Sequence, residues 1–140
     1  MAVMAWISGS EVALVGYEDP IVASDEALTF SVSHGPGYAV IAVAGQVDAG
    51  TEQRFRDALT SVLSQGPGHV VVDLSDVEFM ASAGIGVLMG VRRVLADSGG
   101  RLALAAPKHG EVTQVLTITG VSDVIPVAAT VADAVARLGC

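Results

Sequence analysis

The chain has 140 residues and a formal net charge of −8, with 51% hydrophobic and only 4% aromatic residues. That length allows one domain with its own core, which this composition makes aliphatic and alanine-rich. The acidic balance excludes a nucleic-acid surface and an anionic-membrane surface, since both need clustered Lys and Arg.

Charge is unevenly spread. Residues 1–26 hold five acids (Glu11, Glu18, Asp19, Asp25, Glu26) and no Lys or Arg, whereas the remainder holds ten acids against seven bases. Residues 1–26 read as an N-terminal extension, partly ordered or flexible, ahead of a folded domain over residues 27–140. The single Cys140 offers no partner for an internal disulfide, and no lipidation box is expected, since one would need three more residues after that cysteine. No apolar run reaches the roughly 18 residues of a membrane span. The apolar start lacks a basic flank and carries Glu11, unlike a secretion signal. The expectation is a soluble, cytoplasmic protein with no direct membrane insertion.

Leu28, Phe30 and Val32 alternate with Thr29, Ser31 and Ser33, the period-2 pattern of a half-exposed strand. Gly35-Pro36-Gly37 makes a turn, and residues 38–44 are continuously apolar, so the pair reads as a hairpin. Gly45-Gln46-Val47-Asp48 closes the second strand. Phe55, Ala58, Leu59, Val62 and Leu63 then fall on one face of a helix, with Arg54, Arg56 and Asp57 on its wet side. Thr51 or Asp48 is the expected N-cap, and Gly66-Pro67-Gly68 ends the helix.

Residues 69–74 are a β-branched apolar run, as expected of a strand covered on both faces. Residues 85–97 carry Val87, Leu88, Val91, Val94 and Leu95 at helical spacing. Between them, Met80-Ala81-Ser82-Ala83-Gly84-Ile85-Gly86 reads as a small-residue turn that the rest of the chain presents. Ser82 is the one hydroxyl there, placed to cap the following helix. Gly99-Gly100 stops that helix. Residues 102–106 form a buried strand ended by Pro107. Val112, Val115 and Leu116 mark a short helix ended by Gly120. Residues 124–127 form a last strand, and Thr130-Val131-Ala132-Asp133 opens a final helix bearing Val131, Ala134, Val135 and Leu138 on one face. The fold class is therefore α/β, with element order β-β-α-β-α-β-α-β-α. Right-handed crossovers make the sheet mixed but mostly parallel, with helices packed against it.

Catalytic parts are wanting. Gly84-x-Gly86-x-x-x-Gly90 lies ten positions beyond Leu74, too far for a dinucleotide loop, and no P-loop Lys-Ser/Thr follows. His34, His69 and His109 sit at turns or element ends without metal-ligand spacing. Asp73 is read as ending the central strand at the edge where parallel α/β sites form, and accepting a bond from a loop N–H is expected of it over acid–base work. No Ser-His-Asp or paired-carboxylate arrangement stands out. The expectation is no enzyme, no metal and no cofactor.

Four segments in order resemble the STAS domain family and, within it, the bacterial anti-sigma-factor antagonists. They are Gly45-Gln46-Val47-Asp48; Val71-Val72-Asp73-Leu74-Ser75-Asp76-Val77-Glu78-Phe79-Met80 with Ser82, Gly84, Ile85 and Gly86; Gly99-Gly100-Arg101-Leu102; and Val115-Leu116 through Gly120-Val121 to Val124, Ile125 and Val127, then Thr130, Asp133 and Ala134. The resemblance spans about residues 27–138. It implies a STAS-like domain acting by binding. The partner is an anti-sigma factor of the serine-kinase type, from which the sigma factor is released. Phosphorylation of a serine in the turn ends binding, and a phosphatase restores it. The expected state is a monomer or weak dimer.

At the turn the chain departs from the family pattern. Ala83 stands where the family's usual phosphoacceptor precedes the glycine, and Ala81 replaces an acidic residue. Two alternatives follow: Ser82 is an acceptor displaced by one residue, or phosphate does not switch this turn. The second fits another class, a STAS accessory subunit of an ABC-type membrane transporter. The expected partner surface comprises Ala81, Ser82, Ala83, Gly84, Ile85 and Gly86, with Met89, Arg92 and Arg93 on the helix and Asp48 at the adjacent strand end; Met89 reads equally well as core. On this reading Ala81→Arg or Gly84→Trp abolishes the complex without unfolding the domain.

Overall fold

The computed structural model describes residues 28–139. The extension over residues 1–26 and the terminal Cys140 lie outside the described residues. The hairpin forms as expected: β1 (Leu28–Gly35) and β2 (Tyr38–Val47) pair antiparallel from Leu28↔Gly45 to Gly35↔Tyr38. Pro36 and Gly37 make the turn, and Gly37 supplies the positive φ of 80° that a side chain would resist.

α1 (Glu52–Leu63) buries Phe55, Leu59 and Val62. Arg54 corrects the expected wet side of this helix. It folds back, donating to the Leu28 carbonyl at 2.8 Å and lying 5.7 Å above the Phe30 ring. β3 (His69–Met80) pairs parallel with β2, and β4 (Leu102–Ala105) pairs parallel with β3. α2 (Ser82–Asp97) connects them. At its end Gly99 adopts a φ of 82°, while the Gly100 N–H reaches back to the Leu95 carbonyl at 2.7 Å.

The C-terminal third differs from expectation in one element. α3 (Glu111–Ile118) forms, but Gly120, with a φ of 82°, turns the chain into a further short helix, α4 (Val121–Val124). Val124 therefore belongs to α4. The expected strand over residues 124–127 shrinks to β5 (Val127–Ala128), parallel to β4. Pro126 explains the boundary, because a residue before proline is driven out of helical geometry, and Ile125 is extended. α5 (Val131–Arg137) follows, with the Thr130 side chain accepting the Asp133 N–H at 3.1 Å.

The sheet order is β1-β2-β3-β4-β5. Strand alternation divides the core between its faces. Ile41, Val72 and Leu104 join α1, α2, α3 and α4 on one side, where Phe55, Leu88, Leu116 and Ile125 are buried. Val40, Val71, Ala103 and Ala105 face the other side, covered by Ala134 and Leu138 of α5. α5 is the sole helix on that side among the described residues.

Candidate functional site

β3 builds the site by running further than its sequence suggests. The apolar run ends at Leu74, yet pairing to β2 continues to Met80 through two register shifts. Each shift puts one extra β3 residue opposite β2. As a result Leu74, Val77 and Met80, three apart, all turn inward. Such bulges restore a buried face that strict alternation would lose. Asp73 thus lies mid-strand, as the last β3 residue paired with β4 (Asp73↔Ala105), rather than at a strand end. Its carboxylate does accept a local N–H, that of Ser75 at 3.0 Å.

The expected turn over residues 80–86 is mostly helix. Only Ala81 is a connector, with extended φ and ψ of −84° and 168°, and α2 begins at Ser82. Ala81 occupies the N-cap position without a side-chain bond, so Ser82 is the first helical residue and not the cap. The Ala81 N–H donates to the Val47 carbonyl at 2.7 Å, tying the connector to the end of β2.

The β2–α1 loop lies directly beside it. Thr51 holds the N-cap position of α1, but its hydroxyl faces back into the loop, donating to the Gln46 carbonyl at 2.8 Å and accepting the Asp48 N–H at 3.0 Å. It is the buried polar side chain of the described core. One Asp48 carboxylate oxygen accepts the N–H groups of Gly50 at 2.9 Å and Thr51 at 3.1 Å. Asp48 thus stands at the expected edge, with that oxygen already engaged in shaping the loop.

α2 sorts the remaining candidates. Gly84, Val87, Leu88, Val91 and Leu95 face the sheet. Gly84 is therefore buried against the sheet and not on the exposed face where the partner surface was expected. A Cβ there would stand 2.6 Å from Val47 Cγ1 and 3.1 Å from Met80 Cγ, so Gly84→Trp would disrupt the fold. Ile85 is half-buried against the core, and Ala81 and Ala83 are half-buried too. Ser82, Gly86, Met89 and Arg93 recur at helical spacing, are all exposed, and form one crest. Met89 is 36% exposed, which settles its place on the surface. Arg92 is exposed but turns sideways, its Nε donating to the Val124 carbonyl of α4 at 3.2 Å.

Two features escaped sequence reasoning. Phe79, 40% exposed, lies beside Gln46 at the same end of the sheet. Its clue was an aromatic residue within a bulged strand. Gly90 adjoins the crest with no atom within 4 Å of a Cβ built on it, as does Gly86. Neither glycine is required by packing. The ten-position gap from Leu74 to Gly84 also loses its force against a dinucleotide loop, since β3 ends at Met80; the close packing of Gly84 on Val47 accounts for that glycine instead.

Elsewhere, His34 Nε2 lies 2.9 Å from Gln65 Oε1, and His69 Nδ1 accepts the Arg101 N–H at 3.0 Å. Among the described residues no group of three or more His, Cys, Asp or Glu could hold a metal ion. Among them too, no helix is long and apolar enough to cross a membrane.

A family model described as the STAS domain matches residues 29–134. An anti-sigma-B factor antagonist of Listeria monocytogenes is 34% identical over 87 residues, covering 62% of this chain and 75% of that protein. The anti-sigma-F factor antagonist RsfB of Mycobacterium tuberculosis is 27% identical over 77 residues, 55% of this chain and 63% of that protein. The crystal structure of an anti-sigma factor antagonist from Mycobacterium paratuberculosis matches with a TM-score of 0.75 at 26% identity, covering 82% of this chain and 97% of that one.

Proposed function

This chain belongs to the STAS domain family, and from that premise we propose that it is an anti-sigma-factor antagonist. It binds an anti-sigma factor in the cytoplasm, as a monomer or weak dimer, and so releases a sigma factor. The observation that carries the reading is the antagonist identity of its relatives over the span that folds here as sheet and helices. The exposed crest of α2, starting one residue after β3, supports it by offering a surface that the fold does not need for its own packing.

Contact falls on Ser82, Gly86, Met89 and Arg93, flanked by Ala81, Ala83 and Phe79 and edged by Asp48. Gly86 and Gly90 leave the helix backbone open to close approach, while Met89 and Arg93 supply an adaptable apolar contact and a charge. No step of chemistry is required of these residues.

The serine-kinase type of partner gives control by phosphate, with Ser82 as acceptor and a phosphatase as the reversing partner. An exposed hydroxyl in the first turn of a 16-residue helix suits it, because the helix N-terminus tolerates a doubly charged group within the free protein. A unit charge about 5 Å from a like charge at effective dielectric about 20 costs roughly 3 kcal/mol, or about a hundredfold in affinity. Destabilisation then falls on the complex and not on the fold.

Calorimetric titration of the chain into its cognate serine-kinase-type anti-sigma factor tests the reading. Saturable binding that Arg93→Glu abolishes, with thermal unfolding unchanged, supports it. Absence of binding, or wild-type affinity in the folded variant, refutes it. Mass spectrometry after incubation with that kinase and ATP then separates one phosphate on Ser82 from none.

A further inference from the structure

The helices leave a gap at one place on the sheet. After β4 the chain passes to the face that holds α3 and α4, while after the neighbouring β5 it passes to the opposite face and forms α5. Two adjacent parallel strands whose continuations diverge leave a crevice beyond their carboxyl ends, and such crevices hold small ligands in α/β sheets. A cleft of about 580 Å3 occupies this position, within the range of roughly 300–1,000 Å3 usual for small-molecule sites. It shares no residue with the crest of α2.

The lining is chemically asymmetric. Its base is apolar, with Leu116 fully buried and Val127 half-buried. The Thr117 hydroxyl is occupied as a donor by the Thr113 carbonyl at 3.0 Å. Of the side-chain donors lining it, those left without a partner among the described residues are the Ser122 hydroxyl and two cations, Lys108 just beyond β4 and Arg137 at the end of α5, both exposed. Among the described residues, Asp133 is the one acid lining the cleft. A chain of net charge −8 with seven bases thus brings two of them to one cleft against a single acid.

We propose that this cleft binds a small organic carboxylate, its apolar body against Leu116 and Val127 and its charge between Lys108 and Arg137. An ammonium is repelled by those two cations, a neutral acceptor gains less from them than a carboxylate does, and each further negative charge adds repulsion from Asp133.

The test is a nuclear magnetic resonance titration of the isotope-labelled full chain with sodium benzoate, and in parallel with benzylamine as a cation of similar shape. The expected result is saturable movement of the Lys108, Thr117, Ala129 and Arg137 amide signals with benzoate alone, at a dissociation constant of about 1 mM or tighter. The double variant Lys108→Glu with Arg137→Glu is expected to weaken benzoate at least about tenfold. The proposal is overturned by no saturable movement of those signals, by an equal response to benzylamine, or by undiminished affinity in the double variant. The first two outcomes are read on the wild-type chain and so do not depend on how the variant folds.

Discussion

Val47 Cγ1 sits 2.6 Å from where a Cβ on Gly84 would be, so the first turn of α2 rests directly on the end of β2. The bond from the Ala81 N–H to the Val47 carbonyl, 2.7 Å long, holds the connector in the same place. Together they fix the angle at which α2 leaves the sheet, and hence where its crest points.

Gly84→Ala is accordingly expected to destabilise the domain by about 1–3 kcal/mol, the usual cost of overpacking a tight core. Thermal or denaturant unfolding checks this, and a variant as stable as wild type would mean that Val47 and Met80 yield freely.

Gly86→Ala should do the opposite. A Cβ there meets nothing within 4 Å, and alanine exceeds glycine in an exposed helix interior by about 1 kcal/mol. Gly86→Trp keeps the fold yet blocks the partner, in place of the expected Gly84→Trp. The two readouts, unfolding midpoint and complex formation, should move independently.

Thr51→Val removes a buried hydroxyl that joins the Gln46 carbonyl to the Asp48 N–H. Leaving both groups without that partner costs about 1–3 kcal/mol. Thr51→Ser retains the bonds and should recover most of the loss in the same unfolding assay.

Ser82→Glu places a negative charge in the first turn of α2, where the helix dipole favours it by about 0.3–1 kcal/mol. Stability should hold or rise slightly while affinity for the anti-sigma factor falls between about tenfold and a hundredfold. A variant that binds as tightly as wild type would remove Ser82 from the interface.

Gly100→Ala is expected to be the most damaging glycine substitution. Its Cβ would stand 1.9 Å from the Gly68 carbonyl oxygen, and backbone cannot step aside as a flexible side chain can. Failure to accumulate as folded protein is the expected result, read by circular dichroism of the purified variant.

The amino-acid order by itself determined the hairpin, the parallel run of strands and most of the buried face of each long helix, because periods of 2 and 3.6 report on which side is covered; Val94, placed by that spacing on the apolar face of α2, is instead 53% exposed. It also determined the Thr130 cap and the glycine stops at Gly99 and Gly120, since those depend on a few adjacent residues. Only the tertiary structure decided where β3 ends: Leu74, Val77 and Met80 are three apart, a spacing that fits a helix face better than strict strand alternation, and pairing with β2 through two bulges makes it a strand. The same pairing decided that Gly84 packs while Gly86 is exposed, and that Met89 is surface. Two glycines two positions apart look alike in a sequence; which meets Val47 depends on the angle between helix and sheet, set by contacts between residues nearly forty positions apart.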